Sequence, residues 1–148
     1  MQIEKQINND IKQAMLARDA KKLAALRAIK AAMLLEKTKG AVGEIPDEVE
    51  LSILQKLVKQ RKEAAALYTH QDRPDLAEEE SFQAEIIGAY LPQQMSEEEI
   101  TQKVKEIITQ TNAKSMKEMG KVMGLATKAM QGVADNKLIS SIVRKHLS

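Results

Sequence analysis

Cysteine and tryptophan are absent, and the 148 residues hold only three aromatic side chains, Tyr68, Phe82 and Tyr90. Without cysteine there can be no disulfide, no thiolate metal site and no cysteine nucleophile. So few aromatic rings leave little to stack on unpaired bases, which argues against a reader of single strands or base sequence. Long apolar runs are also missing; nothing approaches the roughly 18 residues of a membrane span. The opening MQIEKQINND has no apolar stretch of the secretory kind, and its Glu4 and Asp10 are acids that transit peptides avoid. The expectation is a cytoplasmic protein with no membrane partner.

What remains is a helix-forming alphabet. Ala, Leu, Ile, Val and Met supply the apolar content, and Lys, Glu and Gln fill the rest. The straight-chain members lose little rotamer freedom in a helix. No run alternates with period two as a half-buried strand would. The expected class is all-α.

Punctuation divides the chain into a longer N-terminal part and a shorter tail. A first helix is expected over about 3–17, with Ile3, Ile7, Ile11 and Met15 on one face. A second follows over about 20–37, with Leu23, Leu26, Ile29 and Met33 inward. Residues 39–46 read as a loop, after which Asp47 and Glu50 have the spacing of a cap pair. The third helix carries Ile53, Leu54, Leu57, Val58, Ala64, Ala65 and Tyr68, and Arg73-Pro74-Asp75 breaks it. A fourth spans about 75–89. Residues 92–95 are the candidate linker, placing an N-terminal domain of about four helices at 1–92 and a compact three-helix tail at 93–148. Ser96 with Glu99, and Ser115 with Glu118, have the spacing of capping boxes, and Asp135 can cap the last helix over Leu138, Ile139, Ile142, Val143 and Leu147.

Catalytic chemistry finds no footing. His70 and His146 stand apart from other ligands, near expected helix C-termini, where a charged imidazole suits the dipole. Gly120-Lys121 lacks the upstream glycine and the following Ser or Thr of a phosphate loop; Ser115 and Val122 occupy those places. The runs Glu78–Glu80 and Glu97–Glu99 read as acids in the first turns of helices. No nucleophile sits beside a base, so no catalytic residue, metal ligand or cofactor is assigned.

Charge is informative in its distribution. The net value is +2, but residues 1–40 carry nine basic and four acidic side chains, residues 41–92 five and eleven, and residues 114–148 seven and two. At 100° per residue, a helix through Lys114–Gln131 would align Lys114, Lys117, Lys121 and Lys128, with Gly124 among them and Gly120 at the edge. Met116, Met119, Met123, Ala126 and Met130 would face the other way. A glycine in a lysine row lets a phosphate approach the backbone while the flanking lysines neutralise its neighbours. The plainer alternatives are a solvated lysine face, glycines that admit another helix, or a Gly124 that ends the helix. The methionines equally suit core packing. Lys137, Arg144 and Lys145 project from the last helix, Lys56, Lys59 and Lys62 from the third, and Arg27 and Lys30 from the second. If nucleic acid is the ligand, shape and backbone contacts must dominate, which favours structured RNA and leaves no expectation of DNA specificity.

Five ordered stretches carry a resemblance: Leu26–Ala32, Leu54–Glu63, Tyr90–Glu99, Met119–Gly124 and Gly132–Asp135. On these the chain resembles the GatB/YqeY family, as a stand-alone YqeY-like protein. The resemblance implies four N-terminal helices and a tail similar to the C-terminal domain of the tRNA-dependent amidotransferase B subunit. That tail contacts the outer corner of tRNA in an enzyme that amidates glutamyl-tRNA(Gln) or aspartyl-tRNA(Asn). The kinase-like and amidase domains of that enzyme have no counterpart here, so its glutamine-dependent carbon–nitrogen ligase activity does not carry over. Thr127 and Gln131 depart from the proline and lysine that family members often carry. The leading expectation is an accessory protein binding tRNA or another structured RNA through Lys114, Lys117, Gly120, Lys121, Gly124, Lys128, Lys137 and Arg144. The alternatives are an adaptor for translation or amidotransferase proteins and, by kinship alone, the ligase activity itself.

Overall fold

A computed structural model describes residues 3–39 and 45–148, so residues 40–44 of the expected loop lie outside the described residues. The fold is all-α, four helices followed by three, with no strand among the described residues. The helices are α1 (Ile3–Leu16), α2 (Ala20–Lys37), α3 (Asp47–His70), α4 (Pro74–Gly88), α5 (Glu97–Thr111), α6 (Met119–Ala129) and α7 (Asn136–Leu147), with a 3-10 turn at Met116–Glu118 before α6. They group into two compact units, Met1–Leu91 and Pro92–Ser148.

In the N-terminal unit α1 buries Ile3, Ile7 and Ala14, while Met15 is 55% exposed. Steps of four residues advance about 40° too far each time, so Met15 has drifted off the face, whereas Ala14 returns to within about 20° of Ile3. These residues close on Ala25, Leu26, Ile29 and Met33 of α2, Leu54 of α3 and Ile87 near the end of α4. Asp47 does not cap α3: Pro46 holds that position without a side-chain bond, and Asp47 is the first helical residue. Glu50, the expected partner in that cap, is instead 3% exposed, and its Oε2 accepts the backbone N–H of Glu4 at 3.2 Å. It thereby satisfies one of the free N–H groups that open α1. Glu4 in turn accepts from Lys37 of α2 through its side chain, so three helices meet at this point. Arg61 joins α3 to α4, donating to Gln83 at 2.9 Å and lying 3.7 Å from Glu80.

The tail has its own core of Ile100, Val104 and Ile107 from α5, Val122 and Ala126 from α6, and Ile139, Ile142, Val143 and Leu147 from α7. Met119, Met123 and Met130 pack into it as filler. The Ser96–Glu99 capping box forms in both directions, at 3.1 and 3.0 Å. The expected box at Ser115 and Glu118 does not. Ser115 accepts from the Lys117 N–H, while Glu118 reaches back to the Lys114 N–H, which winds the segment into the 3-10 turn. Asp135 caps α7 through the Lys137 N–H. Gly132 sits at φ 79° in the turn before it, a conformation that disfavours any residue with a Cβ.

Candidate nucleic-acid interface

α6 begins at Met119, not Lys114, which redraws the lysine row. The 3-10 turn winds by a different angle per residue, so Lys114 and Lys117 do not share the α6 register. Within α6, Lys121, Gly124 and Lys128 fall within about 60° of one another, with Gly120 about 40° beyond. All four are exposed, as are Lys114 and Lys117. Lys121 and Lys128 stand two turns apart, about 10.5 Å along the axis.

The glycines decide between the readings of this face. Beyond the chain neighbours and the backbone of α6 itself, a Cβ built at Gly120 or at Gly124 would meet no atom within 4 Å among the described residues. No neighbouring helix therefore needs the space, and α6 continues to Ala129, so Gly124 does not end it either. Both keep helical backbone angles that alanine adopts equally well. The result is bare, solvent-facing helix backbone at Gly124 between two lysines, and at Gly120 just before the first of them. Thr127 donates to the Met123 carbonyl at 2.8 Å, and α6 runs unbroken past it, where a proline would remove one helical hydrogen bond.

On α7, Lys137 and Arg144 are both exposed and also stand two turns apart, with the exposed Ser141 between them. None of Lys114, Lys117, Lys121, Lys128, Lys137 and Arg144 has a carboxylate paired with its side chain among the described residues. Their charge is thus unspent within the tail. Leu125 escaped the sequence reading: it is 44% exposed and sits about 40° from Lys121 on α6. The angular step places it beside the lysines, a signal the sequence already carried.

The remaining candidates fall in ordinary places. His70 and His146 lie exposed in the last turns of α3 and α7, as their sequence positions suggest. Glu97–Glu99 occupy the first turn of α5. Backbone and hydroxyl hydrogen bonds from Ser96 hold the Glu99 carboxyl below its usual range. Glu78–Glu80 do not open α4; that helix starts at Pro74, and only Asp75 lies in its first turn. No three His, Cys, Asp or Glu residues come together as a metal site would among the described residues. No helix there is long and apolar enough to cross a membrane.

An all-helical chain with a basic tail unit is thereby defined, in keeping with the resemblance read from its five motifs. The chain belongs to the YqeY-like protein family, whose model matches residues 4–147. Its kinship to the GatB/YqeY group, and through it to the amidotransferase, follows from that membership. Two relatives are both named "Altered inheritance of mitochondria protein 41, mitochondrial". The protein from Clavispora lusitaniae is 36% identical over 107 residues, 70% of this chain and 61% of its own. The Lachancea thermotolerans protein is 34% identical over 107 residues, 70% of this chain and 57% of its own. The chain thus spans about three-fifths of the length of the curated relatives it matches. The expected cytoplasmic location is corrected by these names, since both relatives are mitochondrial proteins. The acids Glu4 and Asp10, read as excluding a transit peptide, belong to α1 and carry no information about compartment.

Proposed function

We propose that the chain is a non-catalytic accessory protein that binds structured RNA, tRNA foremost, through the exposed faces of α6 and α7. The observation that carries the proposal is the open space at Gly120 and Gly124. A glycine inside a helix costs about 0.5–1 kcal/mol relative to alanine. Neither packing nor backbone geometry requires one at either position, so the local cost is offset by nothing within the fold. Bare backbone flanked by Lys121 and Lys128 suits a ridge of phosphates, which can approach the helix closely while each lysine neutralises a neighbour. The scarcity of aromatic rings points to shape and backbone contacts, the mode by which folded RNA is recognised. Kinship to a tRNA-dependent enzyme favours tRNA among such ligands.

A salt titration of tRNA binding tests the proposal. Replacing Lys121 and Lys128 together with alanine is expected to flatten the slope of log K against log salt by about 1.8, two phosphate contacts' worth. Absence of measurable tRNA affinity at low salt would overturn it. Exposed Leu125 and Met116 favour the competing adaptor reading; a protein partner whose affinity depends on Leu125 but not on the two lysines would replace RNA as the ligand of this face.

A further inference from the structure

α3 and α4 continue well past the N-terminal core. That core takes Leu57 and Val58 from α3 and resumes with Ile86 and Ile87 of α4; no residue between Val58 and Ile86 belongs to it. Residues 59–85 thus form a helical hairpin, turned at Gln71–Arg73 and held by Arg61 on Gln83 and Glu80. The buried side of α4 in this stretch is marked by Ala77 and Ala84. Phe82 stands about 140° or more round the helix from both, one turn before Ile86, whose packing against the core closes this face at its C-terminal end. It is the only phenylalanine in the chain, it is half-buried, and it is packed into neither core. Glu78, Glu79 and Glu85 lie within about 60° of it, one turn to either side. All three are exposed and, among the described residues, none has an ion-pair partner, whereas neighbouring Glu80 is engaged by Arg61.

Local helix physics does not account for this arrangement. Glu78 and Glu79 lie beyond the first turn of α4, and Glu85 lies in its last, where a carboxylate opposes the negative end of the helix dipole. An aromatic side chain outside any core and rimmed by unpaired charge is the composition of an interface centre with its polar rim. The sign of that rim selects the occupant. A long cationic side chain can lay its aliphatic stem against the ring and bring its charged head to the carboxylates.

We propose that the outer face of α4, centred on Phe82, docks a basic amphipathic helix of a partner protein, with arginine or lysine flanking an apolar residue. This surface lies in the N-terminal unit and is independent of the RNA reading of the tail. The probe is a fluorescein-labelled helical peptide with arginine at i, i+3 and i+7 around a leucine at i+4, titrated with the full chain and followed by anisotropy. Saturable binding is expected, weakened about tenfold by the pair Glu78→Gln and Glu85→Gln and by Phe82→Ala. The glutamine pair removes charge without removing packing, so it reports even if Phe82→Ala lowers helical circular dichroism. The control pair Glu97→Gln and Glu98→Gln, which removes the same charge from α5, is expected to leave peptide affinity unchanged, and the α4 variants are expected to keep wild-type tRNA affinity. Equal weakening by the α4 and α5 pairs would reduce the effect to general attraction and overturn the proposal. So would failure of the peptide to bind at low salt. Sedimentation showing a dimer of the chain that the α4 substitutions dissolve would also overturn it, by making a second copy the occupant.

Discussion

Glu50 and Glu99 are two carboxylates with opposite roles. Burial raises the Glu50 pKa above its ordinary 4.5, against the lowering effect of the Glu4 N–H it accepts. A raised folded-state pKa means that the folded protein holds the proton more tightly than the unfolded chain, so this residue's contribution to stability falls as pH rises through that value. Glutamine keeps an oxygen for the Glu4 N–H and has no charge to bury. Glu50→Gln is therefore expected to equal or exceed the wild type in denaturant unfolding at neutral pH, and to lose that advantage as pH falls toward 4.5. Glu50→Leu, which leaves the Glu4 N–H without its acceptor, is expected to cost about 1–3 kcal/mol. Glu99 runs the other way: its lowered pKa contributes stability above 4.5 that is lost as pH falls through the folded value. Tyr90, half-buried and donating to Asp10, has its pKa raised by burial first and by that bond second, so Tyr90 is expected to stay protonated throughout this range.

At the scale of helices, α6 is where intrinsic stability and the proposed ligand oppose each other. Gly120→Ala with Gly124→Ala fills open space with better helix formers, and thermal unfolding should show a gain of about 1–2 kcal/mol. The same pair is expected to weaken tRNA binding by blocking approach to the backbone. Tighter binding with higher stability would remove the reason given for the glycines. The start of α5 makes a local comparison: Ser96→Ala removes one half of the capping box and should cost about 1 kcal/mol.

That comparison also shows which elements were legible in the sequence. Ser96 with Glu99, and Asp135 before α7, could be read because cap and helix are neighbours in the chain. Glu50 could not, because its partner is 46 residues away and its spacing from Asp47 imitated a cap. Lys114 and Lys117 were placed on the wrong register because nothing in their composition announces a 3-10 turn; Glu118 reaching back to the Lys114 N–H makes one. The space around Gly120 and Gly124 is a tertiary fact, and no periodicity distinguishes a glycine that admits a helix from one that faces water.

For the whole molecule, the separate cores of the two units predict separate unfolding. Leu54 and Ile29 hold one core, Val104, Val122 and Ile139 the other. Val122→Ala and Leu54→Ala should each lower the melting of their own unit, read by hydrogen exchange of α5–α7 and α1–α4 amides respectively, by an amount on the order of 1–4 kcal/mol. Loss of protection across both units from either substitution would show that they unfold as one.

The first residues of the tail are fastened to the tail itself. Met95 donates its N–H to the Val133 carbonyl at 2.8 Å, and the Gln94 side-chain amide donates to Gly132 at 2.9 Å, in the turn before α7. The entering segment is thus clamped at the turn before the tail's last helix, and the same Gln94 amide also donates to the Pro92 carbonyl at 2.9 Å. A unit with its own core and a fastened entrance is expected to be portable: residues 92–148 joined to an unrelated carrier should keep the helical circular dichroism of α5–α7, and loss of that signal would show that they need the N-terminal unit. Whatever α6 and α7 hold could then be delivered to any machinery to which such a graft is attached.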